Sequence, residues 1–409
     1  MNVALVSHSP YLCGAERSIL YLAGLFSGET KGSGIHTILL VPELENGELA
    51  AAASQYNYEM VNTPQQYWYL MQSHRRIQEF DSYCSIMKDH IKSFIDLYKK
   101  TNADIVLVNT LTSITPLIAA YMLGIPTVTW IHGLIKPSMV PGIDPYYQSV
   151  IDRSMINISS RLVYCSNWTR QQFKDLVPVN KGVTIPNWMP EASMHIPYNK
   201  AGRTFVCLNT LEPHKGINVL IDAAKILKDR GIEFHVDLYG LGYGMPDVIK
   251  QINFLELNDV VHIKGRTVDI EKVYNECNVL IQPSLYESFG RTILEAMSFN
   301  RPVICTTSAD PEGVTKDGTN GFRIEPDNSF ILADKMAYML DNPQKAEVMG
   351  NKGYKLYKAY YDGNFARKEF TKLFNEMYKH RLTLPSQQYA FDVVNIIHKC
   401  SFEYFDLTE

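Results

Sequence analysis

An α/β architecture built on two parallel sheets is the fold this sequence predicts. Two observations carry it. Short runs of branched apolar residues recur along the 409 residues, with amphipathic stretches of helical period between them. A polar, irregular segment at residues 186–203, holding Pro186, Pro190 and Pro197, divides these runs into two similar series. A chain of this length exceeds one hydrophobic core and suits two or three domains.

The first series places strands at residues 3–7, 37–41, 105–109, 127–132, 162–166 and 183–186, with helical patterns at 15–26 and 112–123. Strand, helix, strand in alternation is the pattern of a doubly wound sheet. Residues 57–100 read as a long insertion between strands. It carries Tyr67-Trp68-Tyr69 and His74-Arg75-Arg76 and ends in a helical pattern at Lys99-Lys100. Aromatic and basic residues suit an acceptor or a lipid interface; a helical hairpin with a solvated basic face is the simpler reading, and the one adopted. The second series places strands at 205–208, 235–239, 260–264, 279–282, 303–306 and 322–324. Helical patterns at 365–378 and 389–398 close the chain.

Hydrophobic content of 46% and charged content of 20% describe a folded chain, and a formal charge of −4 gives no reason to expect nucleic-acid binding. The seven cysteines are scattered with no CxxC pair, so neither a zinc site nor a disulfide framework is expected. That fits a reducing cytoplasm. The first strand starts at residue 2 with no basic region before it, which predicts no signal peptide. The longest apolar run, 114–131, is broken by Pro116, Gly124 and Pro126 and reads as helix then strand. The sequons at Asn157 and Asn167 are then chance matches.

The stretch from Cys277 to Cys305 is the most informative. It reads strand, loop, helix, strand, with Glu287 in the loop and Glu295 in the helix. Ligands of open α/β sheets bind outside the carboxyl ends of strands, where helix N-termini present N–H groups. Two carboxylates and the amides of Ser288, Phe289 and Gly290 are thereby aimed at one crevice. Gly14 opens a helix after the first strand, and glycine there lets backbone approach an anion. His132 stands at the carboxyl end of the apolar strand run 127–131. Lys215-Gly216 follows the first strand of the second series. A glycine-rich turn, Tyr239-Gly240-Leu241-Gly242-Tyr243-Gly244, is a weak dinucleotide fingerprint, since no acidic residue follows where one is needed.

Glu287 and Glu295 in the context E-S-F-G-R-T-I-L-E-A-M resemble the paired-glutamate motif of the retaining glycosyltransferases of family four, also called glycosyl transferases group 1. The resemblance implies the GT-B fold: two facing Rossmann-like domains, a central cleft, and C-terminal helices crossing back. The expected division is 1–187 for the acceptor-side domain, 188–203 for a linker, 204–364 for the nucleotide-sugar domain and 365–409 for C-terminal helices. It implies transfer of a sugar, with retention, from a UDP- or GDP-type donor to a glycan or lipid-linked acceptor. Roles follow from the motifs. His132, Glu287 and Lys215 would be catalytic. Gly14, Thr210, Lys215, Arg266, Ser288, Phe289, Gly290, Arg291 and Glu295 would hold the donor. Glu295 would accept ribose hydroxyls, Glu287 would bind the transferred sugar, and Lys215 would stabilise the diphosphate. No metal and no cofactor are expected, because no Asp-x-Asp motif stands in a suitable loop. The family's favoured chemistry is front-face departure, with Glu287 as nucleophile the lesser alternative.

The sequence departs from the family in two places. Cys13 stands where a first glycine is usual, and Asn209-Thr210 stand where many members carry Gly-Arg. Arg291 or Arg266 is the expected replacement for that arginine. Surface-polysaccharide or glycolipid synthesis in the cytoplasm, with peripheral contact at the inner membrane face, is the implied setting. A nucleotide-sugar epimerase of the same fold and a non-catalytic nucleotide-sugar binding protein are the rival readings.

Overall fold

The structure is a computed structural model that describes residues 1–27, 34–44, 47–63, 77–133, 155–192 and 196–380, with no side-chain description for 77–88. The aromatic and basic clusters at 67–69 and 74–76, and the helical pattern at 389–398, lie outside the described residues. The chain divides into two compact units: Met1–Pro186 with Ala366–Glu409, and Asn187–Phe365.

The first unit is a seven-stranded sheet: β1 (Asn2–Val6), β2 (His36–Pro42), β3 (Met60–Thr63), β4 (Ile105–Asn109), β5 (Thr127–Ile131), β6 (Arg161–Tyr164) and β7 (Gly182–Thr184). Their spatial order is β3-β2-β1-β4-β5-β6-β7, and every pairing is parallel. β4 and β5 are buried along their length and β1 from Val3 onward, so apolar side chains serve both faces, as helices on both sides require. One core gathers Val6, Ile38, Phe94, Leu117, Leu162 and their neighbours. Strand β3 corrects the reading of 57–100 as an insertion without sheet: Met60–Thr63 pairs with β2 at the sheet's outer edge.

The second unit is a six-stranded sheet: β8 (Thr204–Leu208), β9 (His235–Tyr239), β10 (Val261–Gly265), β11 (Val279–Gln282), β12 (Val303–Thr306) and β13 (Gly321–Ile324). The order is β10-β9-β8-β11-β12-β13, again parallel throughout. Its core packs Phe205, Leu220, Leu238, Ile281 and Met336 with their neighbours. Arg301 is fully buried beneath this unit. Its guanidinium donates to the carbonyls of Tyr274, Phe299, Ile196 and Asn275 at 2.7–3.3 Å. Burial holds this guanidinium below its usual value.

Both sheets reverse direction at one point. The chain runs β1, β2, β3 outward and returns to place β4 beside β1, with Val3 level with Thr37 on one side and Ile105 on the other. It repeats this with β8, flanked by β9 and β11. At such points the loops leave in opposite directions and open a crevice at the strands' carboxyl ends.

The helix Asn364–His380 follows the second unit in sequence but packs in the first. Phe370 meets Trp130 edge-on at 5.2 Å, Phe374 meets Phe26 at 6.0 Å, and Glu376 pairs with Arg161 at 2.9 Å.

Candidate functional site

In the second unit the crevice lies between the loops after β8 and β11. The loop after β8 makes a short 3-10 turn, Pro213–Lys215, and ends at Gly216 with φ +66°. A Cβ at Gly216 would stand 2.2 Å from the carbonyl oxygen of Pro283, so only glycine lets the two loops meet this closely. The Leu285 amide then donates to the His214 carbonyl at 2.8 Å. This closure brings Lys215 Nζ to 2.7 Å from Glu287 Oε1, with both side chains less than a fifth exposed. Gln282 Nε2 and Ser284 Oγ donate to the same carboxylate oxygen, each at 3.1 Å.

Gly290, at φ +79°, is the residue before the helix Arg291–Ser298. A Cβ there would lie 2.3 Å from the Ala309 carbonyl oxygen. The helix therefore starts hard against the loop after β12, and its positive end faces the crevice where β11 ends. Glu287 is fixed to that same loop through its amide, which donates to the Ser308 carbonyl at 3.2 Å. The loop is rigid for its own reason. Asp310 is fully buried and accepts from the amides of Val314 and Thr315 at 2.9 and 2.7 Å. Burial raises this carboxyl above its usual value despite those bonds.

Glu295 has a different setting. It is buried in the helix, and its Oε2 accepts from the Tyr274 hydroxyl at 3.1 Å. Burial, then the nearby Glu295, push this phenol well above its ordinary value. The two glutamates of the motif thus share no hydrogen-bond partner among the described residues. Phe289 is buried, with its ring edge-on to Tyr361. Ser288 is half-buried beside it, and Thr210 is exposed. Arg291 is half-buried, with Nη2 3.8 Å from Met189 Sδ. Arg266 is exposed beyond β10, with β9 and β8 lying between that edge strand and β11.

The glycine-rich turn has a packing reason. Cβ atoms at Gly240, Gly242 and Gly244 would stand 1.7, 2.8 and 2.6 Å from the carbonyl oxygens of Asn209, Leu211 and Leu211. These glycines let the loop after β9 lie on the loop that carries Lys215.

In the first unit, Gly14 is exposed at the start of the helix Gly14–Phe26, and Cys13 precedes it, also exposed. His132 follows β5. Its Nε2 lies 2.7 Å from Asn109 Oδ1, while Asn109 Nδ2 donates to the Ala15 carbonyl at 3.0 Å. An amide oxygen only accepts, so Nε2 carries the proton, and Nδ1 is the acceptor in the neutral ring. Trp130 backs the imidazole at 4.6 Å. Asn109 thereby ties His132 to the turn at Gly14, across the reversal between β1 and β4. Behind that turn, His8 Nδ1 meets Glu16 Oε1 at 2.9 Å, both buried.

Sequence reading missed Gln282, Ser284, Asn109 and Tyr274. Each is an ordinary residue at a strand end, in a loop or in a helix, and nothing in its local pattern marks it. Among the described residues no group of three or more His, Cys, Asp or Glu side chains is placed to hold a metal ion.

The family model described as glycosyl transferases group 1 matches residues 193–356, and the one described as glycosyltransferase family 4 matches residues 14–191. An uncharacterised glycosyltransferase of Methanocaldococcus jannaschii is 27% identical over 247 residues, 58% of this chain and 65% of that protein. The poly(ribitol-phosphate) alpha-N-acetylglucosaminyltransferase of Staphylococcus aureus is 29% identical over 171 residues, 41% of this chain and 34% of that protein. The matches thus span less than two thirds of these relatives. The crystal structure of Anabaena HepE with UDP and glucose superposes with a TM-score of 0.73 at 18% identity, over 92% of this chain and 99% of that one. With two matching family models and this shared two-domain GT-B fold, the chain belongs to the group 1 glycosyltransferases.

Proposed function

We propose that this protein transfers a sugar, with retention, from a nucleoside diphosphate sugar to a hydroxyl of a glycan or lipid-linked acceptor. The observation that carries this reading is the Lys215–Glu287 contact at the reversal of the second sheet, beside the Gly290-capped helix. Cleavage of a sugar–phosphate bond leaves a diphosphate whose new charge needs fixed cations and amides already in place. Lys215 and the amides of residues 288–290 supply them, without a metal ion. Glu287, held as an acceptor by three donors, orients hydroxyls of the transferred sugar. Glu295 offers a carboxylate to the ribose, steadied by Tyr274. In the first unit His132, its ring held by Asn109, helps orient the transferred sugar and acceptor, and Gly14 lets the backbone come near the phosphates.

The leaving phosphate takes the acceptor's proton in this reading, so the sugar keeps its anomeric configuration. The UDP and glucose bound by the Anabaena protein support a UDP-type donor, and the Staphylococcus relative's polymer acceptor supports a surface glycan. Work at the cytoplasmic face of a membrane belongs to the same proposal; among the described residues no helix is long and apolar enough to cross one.

A panel of UDP-, GDP- and ADP-sugars in a thermal-shift assay tests the reading, followed by NMR of the product's anomeric centre. Saturation at a hundredfold excess over Kd adds about 2.7 kcal/mol to stability, so one donor class should raise the midpoint. No shift with any donor, isomerised sugar nucleotide in the absence of acceptor, or an inverted product would each overturn it.

A further inference from the structure

We propose that Gln282 is a positioning residue of this site, and that with Asn209 it fixes which oxygen of Glu287 is presented to the sugar. The proposal rests on the glycosyltransferase reading and deepens it. Gln282 is the last residue of β11 and is fully buried. Its amide forms a reciprocal pair with Asn209, just past the end of β8: Asn209 Nδ2 donates to Gln282 Oε1 at 3.0 Å, and Gln282 Nε2 donates to Asn209 Oδ1 at 3.1 Å. Thr292 Oγ1 adds a second donor to Oε1 at 2.9 Å. Chemistry fixes the orientation of this amide. A carboxylate only accepts, so the NH2 end must face Glu287.

Three donors then meet on one oxygen. Lys215 Nζ, Gln282 Nε2 and Ser284 Oγ all reach Glu287 Oε1, at 2.7, 3.1 and 3.1 Å. Among the described residues none reaches Oε2. That asymmetry leaves Oε2 as the oxygen for a ligand hydroxyl, while Oε1 anchors the side chain. The amide pair joins the ends of the two strands whose loops carry Lys215 and Glu287, just past the backbone ladder that pairs those strands. Asn209 occupies a position where the family pattern often has glycine, and a glycine has no side chain for this pair.

Two variants decide the matter, each assayed for donor turnover from pH 5.5 to 9 beside the wild type, with thermal midpoints. Gln282→Met keeps the volume and removes the amide; a hydrogen bond to a charged group corresponds to about a 10- to 100-fold loss in kcat/KM. Gln282→Glu places a second carboxyl about 3 Å from Glu287, and two such groups cannot both ionise, so one holds its proton to higher pH. While protonated, the new carboxyl donates to Glu287 as the amide does. Once ionised it repels. Activity of Gln282→Glu should be near wild type at the acid end and fall at least tenfold as pH rises, where the wild type does not. A packing role alone would leave the profile's shape unchanged. If Gln282→Met does not fold, the profile of Gln282→Glu still decides. A Gln282→Glu profile parallel to wild type overturns the proposal, as does Gln282→Met within twofold of wild type at every pH. A wild type with no turnover of any donor overturns the glycosyltransferase reading itself, and is told apart because it needs no variant.

Discussion

Replacing Lys215 by alanine removes the ammonium that sits 2.7 Å from Glu287 and leaves that carboxylate with neutral donors only. If the ammonium stabilises the departing diphosphate, kcat should fall by about 10²- to 10³-fold, as when one donor is removed from a preorganised anion site. Stopped or steady-state turnover of the donor identified by thermal shift measures this. A loss confined to KM, with kcat intact, would show that Lys215 only binds. Lys215→Arg should recover part of the rate, because the guanidinium keeps the charge but changes its shape.

At the scale of elements, the site depends on backbones that approach more closely than side chains permit. Gly290 begins the helix Arg291–Ser298 in the left-handed region and abuts the Ala309 carbonyl. Gly290→Ala adds about 1–2 kcal/mol of backbone strain, and the added methyl must push aside the loop that also holds the Glu287 amide. Urea unfolding should show a loss of at least about 2 kcal/mol, with donor affinity falling in parallel. Gly318 offers the control. It is also at positive φ, but a Cβ there meets no atom within 4 Å, so Gly318→Ala should lose the strain alone.

Two predictions concern the molecule as a whole. The helix Asn364–His380 buries Phe370, Leu373, Phe374 and Met377 in the first unit, although it follows the second in sequence. Burying each such side chain contributes about 1.5–3 kcal/mol. A chain ended after Gly363 should therefore lose cooperative unfolding of residues 1–186 while hydrogen exchange in the second sheet stays slow. Equal loss of protection in both sheets would count against this.

The second prediction is alkaline. Burial pushes the thiols of Cys207 and Cys277 from 9 to about 12, and the phenols of Tyr164, Tyr198 and Tyr361 from 10 to about 12. The unfolded chain gives up these protons first, so stability should fall as pH climbs from about 9 towards 12. Lys181 works the other way. Burial and Arg161 lower its ammonium from 10.5 to about 8. Between those values the unfolded chain holds the proton and the folded one does not, so Lys181 adds stability as pH rises from 8 to 10.5. The wild type should gain on Lys181→Met across that window, as followed by chemical denaturation at each pH.

By itself the sequence determined the class of fold and most of the strands. β11 and β12 lie where their apolar runs begin and end, because a strand buried on both faces is apolar nearly throughout and turns must interrupt it, while β9 is marked by alternation of buried Val236 and Leu238 with more exposed neighbours. β3 was illegible. Met60-Val61-Asn62-Thr63 is a half-exposed edge strand, and its membership is decided by the hydrogen bonds β2 offers it. Lys215, Glu287, Glu295 and His132 could each be singled out from local pattern and resemblance. Which of them share partners could not. Lys215 and Glu287 are 72 residues apart and touch because β8 and β11 are neighbours at the sheet's reversal. Glu287 and Glu295 are eight apart and face different groups. Tertiary structure alone chose Gln282, Asn209, Asn109 and Tyr274, since a polar residue's role is set by what burial brings within 3 Å of it, and local sequence carries no record of that.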